Sequence, residues 1–147
     1  EKYNLHEDFL KSVFSLLWNE KNFKLVEPAG FRKNITVLKS TEVGNKFFSI
    51  VYIRQYSNSS VVSLNIDWEA TNDSSDFLQR EHTSFELFIS EEYECRMFSG
   101  SGGEGHFHYN FIVSPPLPDD ISGIELVFKE TNPFSEEKSG QIIVLLL

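Results

Sequence analysis

The stretch SGSGGEGHFHYNFIV, residues 99–113, decides the fold class of this chain. It contains a literal G-x-G-x-x-G string, with Gly100, Gly102 and Gly105 in register and Gly103 between them. A dinucleotide fingerprint needs a strand before the glycines and a helix after them, because the pyrophosphate rests on that helix's N-terminus. Here the glycines lead into an alternation instead. Phe107, Tyr109, Phe111 and Val113 occupy one set of positions, and His106, His108, Asn110 and Ile112 the other. A period of two is a strand. The glycines therefore read as a flexible Gly/Ser loop joining two antiparallel strands. Gly100, Gly102, Gly103 and Gly105 are candidates for a mobile contact loop.

The same texture extends to both sides. NITVLKS (34–40) and KFFSIVYIRQY (46–56) flank TEVGN, in which Gly44 and Asn45 suit the positive φ of a hairpin turn. VVSLNIDW (61–68) sets Val62, Leu64, Ile66 and Trp68 against Ser63, Asn65 and Asp67, the pattern of a half-buried strand. ATNDSSD (70–76) is a loop by composition. SFELFIS (84–90) and YECRMF (93–98) read as a second hairpin around Glu91 and Glu92, with Tyr93, Cys95 and Met97 on its buried side. GIELVFKE (123–130) and QIIVLLL (141–147) complete the set. The last is apolar on both faces, which implies a strand buried on both sides or one in an oligomer interface. Only the start differs. In NLHEDFLKSVFSLLWNEK (4–21), Phe9, Leu10, Val13, Phe14 and Leu17 make one apolar helical face, with Asn4 and Glu7 placed as a capping box. Such a helix covers a sheet or meets a partner.

The expected architecture is a single all-β domain over residues 1–147. It comprises an antiparallel Ig-like β-sandwich over 28–147 and an N-terminal α-helix within 1–27. A length of 147 residues suits one core. The 14 phenylalanines favour strands and supply large buried area.

A net charge of −9 disfavours nucleic acid and anionic membrane surfaces as partners. No apolar run is long enough to span a bilayer. One cysteine, Cys95, excludes an intrachain disulfide and a multi-cysteine zinc cluster. It also favours a reducing, cytoplasmic setting. The first residue is Glu1, not methionine, which leaves a removed secretion signal open. Sequons at Asn34, Asn58 and Asn72 are frequent enough by chance to carry little weight.

Chemical motifs are sparse. His106 and His108, at i and i+2 on a strand, share a face, and with Glu104 they form a candidate binding or metal-ligating set. The plainer reading places Phe107, Tyr109 and Phe111 in the core and the histidines in solvent. PPLP (115–118) matches P-x-x-P but sits between two strands, where a structural turn explains it. Arg54 and Tyr56 fit a solvated sheet face as well as a pocket. Trp18 and Trp68 could stack on a sugar ring, although a packing contact is commoner. No catalytic elbow, zincin helix or P-loop occurs. No cofactor is implied, and an enzyme is disfavoured.

NITVLKSTEVGNKFFSIVYIRQ and, further along, SGSGGEGHFHYNFIVSPPLPDDISGIELVFKETNP together resemble an uncharacterised bacterial domain family of actinobacterial type. The shared features are an early hairpin, a glycine run (100–105), an aromatic strand (106–113), a Pro-Leu-Pro turn (115–118) and a closing strand (123–130). That family tends to close on Glu-Trp-Pro, where this chain has ETNP, and its glycine run is longer. The resemblance spans much of 34–133 and implies an order of elements, with no activity and no site. Three functions are expectations at this level. The first is a non-enzymatic domain that binds a protein partner or itself. The second is a carbohydrate or small-ligand sandwich using exposed aromatics. The third is a metal-dependent enzyme built on His106 and His108.

Overall fold

The computed structural model describes residues 26–69, 84–131 and 141–147. The expected N-terminal helix, Trp18, the loop at 70–76 and the last two residues of ETNP lie outside them. Within them the protein is all β. The strands are β1 (Phe31–Val43), β2 (Lys46–Tyr56), β3 (Ser60–Trp68), β4 (Ser84–Phe88), β5 (Glu94–Gly103), β6 (His106–Ser114), β7 (Glu125–Thr131) and β8 (Ile142–Leu146). They form two antiparallel sheets, one ordered β1-β2-β3-β6-β5 and the other β4-β7-β8. Two sheets sharing one core make a β-sandwich.

Alternation builds that core. Phe48, Ile50 and Ile53 of β2, Val62, Leu64 and Ile66 of β3, and Tyr109, Phe111 and Val113 of β6 point inward from the large sheet. Phe85, Leu87, Leu126, Phe128, Ile143 and Leu145 meet them from the small one. Aromatic pairs bridge the layers: Phe48–Phe85 at 6.0 Å, Phe85–Tyr109 at 5.6 Å and Phe111–Phe128 at 5.6 Å between ring centroids. Burying each such ring contributes roughly 1.5–3 kcal/mol. Trp68 packs against the edge of this core.

The β1–β2 hairpin turns at Gly44 and Asn45 as its sequence implies, with Gly44 at φ 65°. β1 carries a bulge between Thr36 and Lys39, where the exposed Leu38 takes φ 51°. A bulge of this kind twists an edge strand away from further pairing.

Three expectations are corrected. The strands flanking Glu91 and Glu92 are not a hairpin. β4 pairs with β7 and β5 with β6, so that turn carries the chain from one sheet to the other. The turn residues specify a reversal, but ladder hydrogen bonds are alike for every candidate partner. The buried side expected for β5 is also incomplete, since Met97 is exposed beside a bulge between Met97 and Ser99. Finally, the glycine run is not a loop. Gly100, Gly102 and Gly103 are strand residues paired with Tyr109, Phe107 and His106, and only Glu104 and Gly105 turn, with Gly105 at φ 77°.

The PPLP segment runs irregularly between β6 and β7, and Leu117 plugs the core. Gln55 holds it there. This fully buried side chain donates from Nε2 to the Leu117 carbonyl at 2.7 Å, and its Oε1 accepts from the Ser60 hydroxyl. The Ser60 oxygen in turn accepts from the Leu117 amide at 2.8 Å. Outside this lock, Arg32 grips Asp119 with two hydrogen bonds of 3.1 and 2.9 Å, and Lys33 Nζ stands 3.2 Å from the same carboxylate.

Candidate functional site

Among the described residues, two sheet faces bring together side chains that could meet a ligand or a partner. The first is the outer face of the large sheet. β3 presents Ser63, Asn65 and Asp67 there, directly across from Asn110, His108 and His106 of β6. His106 Nδ1 lies 2.7 Å from Asp67 Oδ1, and the carboxylate accepts an imidazole N–H. His108 Nε2 lies 3.1 Å from Asn110 Nδ2. Asn110 also donates to Ser99 at 2.9 Å and accepts from Ser63 at 2.5 Å. The two histidines thus share a face, with Phe107, Tyr109 and Phe111 turned the other way, but each has its own polar partner. Glu104 sits exposed in the β5–β6 turn. Among the described residues, no three His, Cys, Asp or Glu side chains are grouped to hold a metal ion.

Nucleophilic chemistry finds little support on this sheet. Burial, with Glu94 adding to it, pushes the Cys95 thiol up to about 11, so it stays protonated at neutral pH. Burial, reinforced by Glu130, pushes the Tyr109 phenol up to about 12. Arg54 lies over the rings of Phe31 and Tyr56, at 5.5 and 5.6 Å from their centroids, a cation–π arrangement on the solvent side.

The second surface is the outer face of the small sheet. β8 is an edge strand whose alternation sends Ile143 and Leu145 into the core and leaves Ile142, Val144 and Leu146 exposed at 61%, 43% and 63%. The strand is therefore not buried on both sides. Its outward row continues across the sheet. Val144 pairs with Val127 of β7, and Val127 with Phe88 of β4, which is 56% exposed. An apolar row thus crosses all three strands, extended along β8 by Ile142 and Leu146. Glu86 and Lys129 flank it on one side and Glu125 on the other. Both-face apolarity in β8 is readable from sequence. Phe88 and Val127 are not, because their alignment depends on which strands pair.

Both side edges of the small sheet are approached by the large one, β4 running beside β5 and β8 beside β1. Among the described residues, that leaves the face, not the edge, as the open element. No helix among the described residues is long and apolar enough to cross a membrane. The chain matches no protein-family model and no curated protein.

Proposed function

We propose that this protein is a non-enzymatic association domain that binds a second copy of itself through the outer face of β4, β7 and β8. One observation carries the reading: exposed Phe88 and Val144, with half-buried Val127 between them, form an apolar row across a sheet whose opposite face already fills the core. A contiguous apolar row of this kind offers a surface on which a second sheet face can pack. The outer polar band of the large sheet, by contrast, is internally hydrogen-bonded. The Ig-like comparison and the kinship with the bacterial domain family are proposals of architecture, resting on strand order and turn chemistry, and they add no activity.

The test is sedimentation of the full chain from micromolar to millimolar concentration, beside Phe88→Asp and Val144→Asp. The wild type should associate as concentration rises. Each substitution should leave a monomer with unfolding free energy changed by no more than about 0.5 kcal/mol, since both positions are exposed. A wild-type chain monomeric over the whole range overturns the reading, as does association that both aspartates leave intact.

A further inference from the structure

The outward residues of the small sheet are ordered in a way that selects one arrangement of two copies. Val127 stands at the centre of the middle strand, between Phe88 and Val144. Lys129 lies two residues to one side of it on β7 and Glu125 two residues to the other, each about 7 Å away along the strand. Both charged residues are exposed, and among the described residues neither is in an ion pair.

Resting on the association reading above, we infer that two copies pack face to face about a two-fold axis that passes through the Val127 row, perpendicular to the strands. A closed dimer uses the same patch twice, so every contact must be self-complementary. An axis across the strands lays β7 antiparallel on β7 of the second copy. Lys129 then meets Glu125 of the second copy, Glu125 meets its Lys129, and the Phe88–Val127–Val144 rows lie against each other between the two pairs. An axis along the strands would instead set Lys129 on Lys129 and place Glu86 over Ile142, opposing like charges and burying an acid against an apolar side chain. Sheets packed face to face lie about 10 Å apart, a gap that a lysine and a glutamate reaching toward each other can span. Facing sheets also cross at about 30°, so register is kept best on the central strand, where both charges sit.

Size sets the strength. Three strands about 4.8 Å apart and five to seven residues long cover roughly 300 Å² of sheet plane. That is well below the roughly 800 Å² per partner of a stable complex. The dimer is therefore weak and reversible, populated at high local concentration.

The experiment uses Lys129→Glu and Glu125→Lys in the full chain, each alone and then mixed one to one, with dissociation constants from sedimentation equilibrium at low salt. Each variant alone places like charges at both pairs and should dimerise roughly tenfold more weakly than wild type or worse. In the mixture, the heterodimer has opposite charges at both pairs and should recover wild-type affinity within about threefold. Wild-type association with no loss in the single variants, or with loss that mixing does not repair, overturns this geometry while the association reading stands. A wild-type chain that never associates overturns both.

Discussion

Gly102 lies directly opposite Phe107 in the β5–β6 ladder, and a Cβ at position 102 would come within 2.5 Å of the Phe107 ring. Two pairs further along, a Cβ at Gly100 would stand 2.9 Å from the ring of its partner Tyr109. Those two rings stack at 4.8 Å between centroids. The glycines are thus a packing device. By lacking side chains they let a stacked aromatic pair lean over an edge strand, the aromatic cover that edge glycines commonly receive.

Alanine at these positions should therefore have unequal effects. Gly102→Ala should cost about 1–3 kcal/mol, because the added methyl meets the His106 carbonyl at 2.5 Å as well as the ring, and backbone must move. Gly100→Ala should cost less, since only the Tyr109 ring has to shift. Gly103→Ala meets no heavy atom within 4 Å and should be neutral or stabilising by up to about 1 kcal/mol. Urea unfolding of the three variants gives the ranking, and equal costs would refute the packing role.

The Gln55–Ser60–Leu117 lock makes a second prediction. Ser60→Ala strips a partner from both the Leu117 amide and Gln55 Oε1, leaving buried polar groups unpaired, and should cost about 2–4 kcal/mol. Gln55→Leu should cost a similar amount through the Leu117 carbonyl. The double variant should cost clearly less than the sum, because the second change removes a group already orphaned by the first. Additive losses in a double-mutant cycle would show that the three groups act independently.

Acid should report on Asp119. Hydrogen bonds from Arg32, then Lys33, hold its carboxyl down at about 2 from the ordinary 3.8. A depressed folded-state value contributes stability that is complete above the unfolded value and lost as pH falls through the folded one. The window therefore runs from about 4 down to about 2. The site is exposed, so the effect is small and salt-sensitive. Carboxyl chemical shifts should place the Asp119 midpoint near 2, and Arg32→Ala should move it upward. A midpoint near 4 in the wild type would mean that the pair is broken in solution.

The sequence by itself determined the all-β character and, where the alternation is clean, the face a strand buries. Alternation in 61–68 and 106–113 predicts Leu64, Ile66, Tyr109 and Phe111 inside, and Gly44-Asn45 predicts a tight turn, because both signals act over a few residues through backbone geometry. His106 and His108 on one outer face came from the same period. Only the tertiary structure decided what pairs with what. It split β4 and β5 between two sheets, drew the glycine run into a ladder opposite aromatic rings, buried Gln55 beneath the proline turn, and aligned Phe88 with Val127 and Val144. Main-chain hydrogen bonds are indifferent to partner identity, so pairing is settled by how the whole core fills. The candidate association face, made of residues far apart in the chain, comes into being only at that level.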